Sequence, residues 1–270
     1  MGKRKASISP IKGGGQRQPD CPQVPRGIHN LGRYFDVFNS VLGRKDVFWF
    51  RGQGDITWRL VPSALRYRNE SERSRALGLL SDFKRFVELK LDRLPAPDDE
   101  LKWIQLAQHY GLPTRLLDWT RNAAIALYFA CLSPADKDGA VYVLNPVDLN
   151  REKDLERPRV FDPLSDYTVI EPYLGLGGGR TSRNMRTIAI HPIWNSERIM
   201  LQQGVFTLHG SPPFVLHARE APSLVHVRIE AGRKERLLEE LERVGVNEMA
   251  IFPEPEHLCR YLRESAQLPT

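Results

Sequence analysis

Apolar residues recur every three to four positions in several stretches of the chain, a pattern that predicts amphipathic helices. A glycine or a proline follows several of these stretches and indicates where the helix ends. The stretches are residues 31–42, 72–93, 101–110 and 123–131, a segment that carries Leu237, Leu238, Leu241 and Val244, and a last one from about Glu256.

Short runs of aromatic and β-branched residues lie between these helices and predict strands. Residues 46–53, DVFWFRGQ, are apolar on both faces, which is typical of a strand in the middle of a sheet. Further strands are predicted at residues 140–144, 187–190, 198–208 and 223–230. The pattern predicts an α+β protein: one compact mixed domain with a central sheet flanked by helices.

The segment between the helices at 101–110 and 123–131 is predicted to be a turn, and it concentrates polar and aromatic side chains. Gly111 is expected to stop the first helix, and Asp118 or Thr120 to cap the second, whose alanines allow close packing. Two interpretations stay open: a buried helical hairpin in which Arg115 pairs with Asp118 and His109 is satisfied in the core, or a functional site. The side chains concerned are His109, Tyr110, Gly111, Pro113, Thr114, Arg115, Asp118 and Trp119.

Arg51 stands at the end of the predicted central strand, between Phe50 and Gly52. A charged side chain at such a position forms an ion pair, faces solvent at the strand end, or contacts a ligand. Gly52 and Gly54 allow another part of the backbone to approach closely or the chain to turn sharply. Arg51 is therefore a second candidate for a site.

Most of the formal net charge of +6 lies at the start of the chain. Residues 1–26 contain six basic residues and one acidic residue, a net charge of +5, which leaves +1 for all the rest. Because this start is also rich in Gly, Pro, Ser and Gln, residues 1–27 are predicted to form a disordered basic tail. The tail either engages nucleic-acid phosphates loosely or is only a solvated extension.

Several classes of protein are disfavoured by what the sequence lacks. No apolar run approaches the ~20 residues that span a bilayer, and the N-terminus lacks the apolar core of a secretory signal, so we expect a cytoplasmic protein without membrane contact. Three widely separated cysteines fit neither a disulfide framework nor a four-cysteine zinc site. No paired-acid or HxxxH motif is present, so no metal is predicted and a metal-dependent nuclease ranks last among the functions considered.

Four blocks of the sequence resemble the FRG domain family, which is named after a Phe-Arg-Gly motif. The resemblance covers roughly residues 30–265 and predicts an FRG domain over residues 28–270. It implies an effector in phage defence or toxicity, because members occur in such settings. The sequence departs from the family after Phe252-Pro253, where Glu254-Pro255-Glu256 replaces an Asp-Leu-Asp type of run. The four blocks are Phe50-Arg51-Gly52; Trp58, Leu60, Pro62 and Ser63; LAQHYGLPTRLLDWTRNAAIALYFA at 106–130; and Arg198-Ile199 with Gln202, Gly204, Phe206 and Thr207.

A glycine-rich stretch at residues 173–186, YLGLGGGRTSRNMR, also carries three arginines. It lacks the Gly-Lys-Ser/Thr ending of a P-loop and the GxGxxG spacing of a dinucleotide motif. We expect a mobile loop over the site rather than a nucleotide motif.

The order of these blocks also resembles, at the level of pattern, the ADP-ribosyltransferase fold. That resemblance implies NAD as the substrate, transferred as ADP-ribose to a protein or nucleic-acid acceptor. It implies that Arg51 binds phosphate or ribose, that Tyr110 or Trp119 stacks on the nicotinamide, and that His109 bonds a ribose hydroxyl. Glu197 is assigned as the carboxylate near the developing charge, although a plain surface glutamate stays open for it. The full prediction has Arg51, His109, Asp118, Glu197 and Gln202 as catalytic residues, and Arg51, Gln53, Tyr110, Thr114, Arg115 and Trp119 as cofactor-binding residues.

The alternative function is a binding module without turnover. In that interpretation the same pocket recognises a nucleotide signal or a nucleic-acid end, using Arg51, Gln53, His109, Thr114, Arg115 and Asp118. Either function leaves room for a regulatory protein partner. Release of nicotinamide from NAD would separate the two interpretations.

Overall fold

The computed structural model describes residues 24, 27–41, 47–151, 156–174, 185–193, 196–210, 216 and 221–266. The predicted basic tail, apart from residues 24 and 27, and residues 175–184 of the glycine-rich stretch lie outside the described residues. What was predicted for those two segments stays a prediction.

Helices and strands are mixed along the whole described part of the chain. Its helices are α1 (Leu31–Val41), α2 (Glu70–Val87), α3 (Glu100–His109), α4 (Ala123–Leu132), α5 (Pro146–Asn150), α6 (Tyr167–Leu174), α7 (Glu197–Leu201), α8 (Lys234–Arg243), α9 (Glu248–Ile251) and α10 (Pro255–Ser265). Its strands are β1 (Trp49–Gln53), β2 (Leu116–Thr120), β3 (Gly139–Leu144), β4 (Ile188–Ile190), β5 (Gly204–Leu208) and β6 (Val225–Ile229).

These strands form a six-stranded antiparallel sheet in the order β4-β5-β2-β1-β3-β6. β1 lies between β2 and β3, so the predicted central position of the strand that carries Arg51 is confirmed. β3 lies between β1 and β6, so the strand predicted at 140–144 is an inner strand of the sheet. The predicted α+β class is confirmed as well.

Side chains alternate along each strand, so the sheet has two faces, and helices cover one of them in two groups. Helices α1, α4 and α8 pack over β1, β3 and β6, while α2, α3 and α6 pack over β2, β5 and β4. We call this side the helical face. The opposite face packs against Leu149 of α5 and against Leu60, Leu216 and Leu224 from irregular segments. The boundary between the two helix groups runs between β1 and β2, the two middle strands.

The contact between β1 and α4 is closer than any ordinary side chain allows. A Cβ atom added at Gly52 would lie 1.9 Å from the backbone oxygen of Ala126 and 2.6 Å from the nitrogen of Ala130. One added at Gly54 would lie 1.2 Å from the oxygen of Ser133. The predictions that these glycines permit close approach, and that the alanines of α4 permit tight packing, are both confirmed.

The predicted turn between two helices is wrong in one respect, because it contains the strand β2. β2 pairs along its length with β5, from Leu116 opposite Leu208 to Thr120 opposite Gly204. Five residues of mixed pattern fit a turn or a strand equally well, and the distant partner decides between them. The cap of α4 also differs: the side chain of Asn122 accepts from the N–H groups of Ala124 and Ile125.

Other boundaries differ from the prediction. The helix predicted at 72–93 runs from Glu70 to Val87. The strand predicted at 198–208 divides into α7 and β5, so Gln202 ends a helix instead of lying in a strand. The cause is local, because Ser196 caps α7 by accepting from the N–H of Ile199. Within the described ranges, no helix is both long and apolar enough to cross a membrane.

Candidate functional site

Asp118 is an exposed carboxylate in the middle of the sheet. It lies on the helical face, because it shares its face of β2 with buried Leu116 and is paired with buried Phe206. Its side chain is nevertheless 64% exposed. Since helices cover the strands on both sides of it, this exposure marks an opening between the two helix groups.

Arg51 starts on the opposite face of β1, like Gln53, and reaches Asp118 across the space between β1 and β2. These strands pair through Phe50 and Thr120, and one step further along, Arg51 Nη1 donates to the backbone oxygen of Asp118 at 2.5 Å. The same nitrogen lies 4.0 Å from Asp118 Oδ2, and the Arg51 side chain is 17% exposed. Its buried Nε has no hydrogen-bond partner among the described residues.

The charge of Arg51 is partly destabilised by its surroundings. Burial lowers the pKa of its guanidinium to about 10, an effect that Asp118 opposes and the nearby charge of Arg66 increases. The group stays protonated at neutral pH, since that value is still well above 7. Arg51 is therefore a weakly hydrated cation beside a carboxylate.

Arg66 supplies a second guanidinium to this group of residues. Its Nε donates to the backbone oxygen of Val61 at 2.9 Å. Burial lowers its pKa, and the carboxylate of Asp118 acts in the opposite direction. Arg66 was not among the predicted site residues. Its position directly after the block that ends in Pro62-Ser63 was the available signal.

Gln108 and Thr114 complete this set of residues. Gln108 Nε2 donates to Asp118 Oδ1 at 2.6 Å, and the hydroxyl of Thr114 donates to Gln108 Oε1. The N–H of Thr114 donates to Ser63 Oγ at 3.1 Å, which connects two of the sequence blocks directly. We call Arg51, Arg66, Gln108, Thr114 and Asp118 the Asp118 cluster.

A second group of charged residues begins one position further along α3. His109 Nε2 lies 3.8 Å from Glu254 Oε1, and the same oxygen lies 3.5 Å from Arg198 Nη1. Burial lowers the pKa of His109, Arg198 lowers it further, and Glu254 acts against them. The neutral imidazole is thus favoured near pH 7. Glu254, which departs from the family pattern, is in contact with two residues of the family blocks.

Gln202 connects this second group to β2. Its backbone oxygen accepts from the hydroxyl of Thr120 at 2.7 Å, and its side-chain Nε2 donates to the backbone oxygen of Ile251 at 3.4 Å. Thr120 lies two residues beyond Asp118 on the same face of β2. The late block and the C-terminal segment therefore meet the central block on the helical face.

The remaining predicted site residues lie elsewhere. Trp119 is 3% exposed on the opposite face, where its Nε1 donates to Thr207 Oγ1 at 3.0 Å. Arg115 does not form the predicted pair with Asp118, because its Nη1 donates to the backbone oxygen of Gly210 at 2.9 Å. Tyr110 is 54% exposed at the end of α3. Glu197 is exposed in the first turn of α7.

Gln53 ends β1 on the opposite face, paired with Ala140. It is 4% exposed, and its Oε1 has no hydrogen-bond partner among the described residues. The structure thus brings together Arg51, Asp118 and Thr114, whereas His109 lies beside Glu254 and Gln202 bonds Thr120 and Ile251. In the ranges that the structure describes, no group of three or more His, Cys, Asp or Glu side chains is arranged to hold a metal ion.

Comparison with known proteins gives one match. The model of the FRG domain matches residues 46–139, a shorter segment than the resemblance of the sequence blocks suggested. The comparisons with curated proteins and with solved structures found no match. All five residues of the Asp118 cluster lie inside the matched segment, whereas Arg198, Gln202 and Glu254 lie beyond its end. The part of this chain that is similar to an FRG domain, residues 46–139, is therefore the part that builds the Asp118 cluster.

Proposed function

We propose that the Asp118 cluster binds NAD and catalyses the transfer of its ADP-ribose group to an acceptor. The observation that supports the proposal is an exposed carboxylate, Asp118, beside the partly buried guanidinium of Arg51 and within the electrostatic influence of exposed Arg66, at an opening in the middle of the sheet. Cleavage of the nicotinamide bond passes through a positively charged ribosyl group next to a negatively charged pyrophosphate. A site for this reaction needs a carboxylate and cations close to each other.

The guanidinium groups suit the pyrophosphate. Arginine binds phosphate oxygens with two parallel hydrogen bonds, and it loses less on desolvation than an ammonium group does. Arg51 and Arg66 keep their charge at neutral pH, and the fold has already removed much of the hydration of Arg51, whose side chain is 17% exposed. The binding site is thus partly preorganised before the ligand arrives.

Asp118 takes the place that the sequence assigned to Glu197. A carboxylate stabilises the developing positive charge only if it lies beside the bound nucleotide, and Asp118 is the acid that lies beside Arg51 and whose charge also acts on Arg66. Glu197 is an exposed residue of α7 in the segment beyond residue 139. Asp118 therefore has the catalytic role in this proposal.

Two further predicted roles are retained. Neutral His109 is able to bond a ribose hydroxyl, because an uncharged imidazole offers one donor and one acceptor. The exposed ring of Tyr110 is available to stack on the nicotinamide, whereas the indole of Trp119 is buried on the other face. The acceptor is a protein or a nucleic acid, and the setting is phage defence or toxicity under a regulatory partner.

A second candidate function, nucleotide binding without turnover, is favoured by the contacts of Asp118 itself. Its carboxylate already receives a hydrogen bond from Gln108 and faces Arg51. A carboxylate held in this way also serves a binding protein, in which it fixes the arginines for the phosphates. NAD would then bind and remain intact.

Measurement of nicotinamide release from NAD distinguishes the two functions. The purified protein is incubated with NAD alone and with protein, RNA or DNA acceptors, beside Asp118→Asn and Glu197→Gln as a matched pair. The proposal predicts that Asp118→Asn reduces release by at least about 100-fold, while Glu197→Gln leaves it unchanged. ADP-ribose binding that needs Arg66, without any release by the wild type, would establish the binding module instead.

A further inference from the structure

The carboxylate of Asp118 is held by a chain of hydrogen bonds that starts in the loop before β2. An aspartate that is 64% exposed would ordinarily rotate about both of its side-chain bonds. Here Gln108 donates to Oδ1 at 2.6 Å, and Arg51 lies 4.0 Å from Oδ2. Each oxygen of the carboxylate thus has a defined neighbour.

The orientation of the Gln108 amide is fixed by Thr114. The hydroxyl oxygen of Thr114 accepts from the N–H of Leu116 at 3.1 Å. The hydroxyl hydrogen of Thr114 must therefore point away from that N–H group. That hydrogen is donated to Gln108 Oε1. An amide has its oxygen on one side and its NH2 group on the other, so this contact turns Nε2 toward Asp118.

The backbone around Thr114 is fixed in turn. Its N–H donates to Ser63 Oγ, and its carbonyl oxygen accepts from the N–H of Ala64 at 3.0 Å. Gly111 permits the chain to leave α3 with φ of +87°, which returns Thr114 to the last turn of that helix. The spacing of Gln108, Thr114 and Asp118 therefore has a geometric reason.

We infer that Gln108 is the positioning residue of the site, and that Thr114 sets the orientation in which Gln108 holds the Asp118 carboxylate. The effect of this positioning on catalysis rests on the proposed function, whereas the hydrogen-bond chain itself does not. Thr114 then does not contact the nucleotide, although the sequence placed it among the cofactor-binding residues. Its side chain is 5% exposed, donates its hydroxyl hydrogen to Gln108 and accepts from Leu116.

The hydrogen-bond chain is tested without any assumption about activity. The side-chain NH2 signals of Gln108 are assigned in a ¹⁵N-labelled NMR spectrum by their loss in Gln108→Leu. The inference predicts that Thr114→Val and Asp118→Ala both shift these signals toward those of a free amide, while Thr114→Ser, which keeps the hydroxyl, does not. Identical signals in all of these variants would overturn it.

The catalytic consequence is tested by steady-state kinetics of nicotinamide release. Because Gln108 acts through Asp118, Thr114→Val should lower kcat by about tenfold to a hundredfold with KM within about twofold, and Thr114→Ser should restore kcat. An unchanged kcat in Thr114→Val would reject the positioning role even if the NMR signals shift. If the wild type releases no nicotinamide, the proposed function fails and the NMR comparison alone decides the inference.

Discussion

The fold has no space for a methyl group at position 52. A Cβ atom there would lie 1.9 Å from Ala126 O and 2.6 Å from Ala130 N, and Cβ atoms essentially never approach within 3.0 Å of such atoms. Because both obstacles are backbone atoms of α4, no side-chain rotation relieves the clash. In Gly52→Ala, α4 must therefore move away from β1 by about 1 Å, against a core that packs without voids.

The expected loss of stability in Gly52→Ala follows from the packing contacts that α4 makes. It contacts β1, β3 and α8, and its buried side chains include Leu127 and Tyr128. Overpacking of a core typically costs about 1–3 kcal/mol, and a displaced helix belongs at the upper end of that range. We expect Gly52→Ala to reduce the free energy of unfolding by about 3 kcal/mol and also to displace the adjacent Arg51.

Urea unfolding of Gly52→Ala and Gly78→Ala, compared with the wild type, provides the measurement. Gly78 is an exposed residue of α2, with nothing within 4 Å of an added Cβ. The same substitution there should stabilise the protein by about 0.5–1 kcal/mol, since alanine favours a helix. The two variants should thus change stability in opposite directions. A Gly52→Ala protein within about 0.5 kcal/mol of the wild type would refute the packing argument.

Four further predictions concern other parts of the fold. The lowered pKa of His109 means that the unfolded chain binds the extra proton more readily, so the free energy of unfolding should fall as the pH drops through about 6.5. His109→Asn should weaken that dependence in urea titrations between pH 5 and about pH 7.5. Burial raises the pKa of Cys131 to about 12, so stability should fall as the pH rises from the ordinary thiol value of 9.0 toward 12, and Cys131→Ala should lack this loss. In a thiol-labelling assay at pH 8, exposed Cys259 should react and buried Cys131 should not, and rapid labelling of Cys131 would contradict its placement. Asn122→Ala removes the cap of α4 and should cost about 1 kcal/mol in thermal unfolding, whereas Asn122→Asp should cost much less.

The Asp118 cluster shows how much of the site could be predicted from the sequence. Arg51, Thr114 and Asp118 were singled out because charged and polar side chains stood where a strand or a turn was predicted, and the structure brings them together. Gln108 was not singled out, since a polar residue on a helix is ordinarily solvated. Its role depends on the distance to Asp118, ten residues away across a loop.

Trp119 and Asp118 show that the sequence did not separate a residue of the site from a residue of the core. They are adjacent in the sequence, and both were candidates for contact with a ligand. Side chains alternate along β2, so Asp118 and Trp119 lie on different faces of the sheet. The side chain of Asp118 is 64% exposed, whereas Trp119 is 3% exposed in the core. Since β2 itself was read as part of a turn, the sequence contained no basis for separating them.

Local chemistry is what the sequence by itself determined about this protein. The stop at Gly111 just after α3, the tolerance of Gly52 for close backbone approach and the α+β class all follow from signals within a few residues of each other. Only the tertiary structure decided which strand lies beside β2, which face carries Asp118, and which distant residues reach His109. The pairing of Leu116 with Leu208 and the approach of Glu254 to His109 join segments more than ninety and more than one hundred and forty positions apart. Such contacts depend on packing that stabilises the whole fold at once, so no local pattern encodes them.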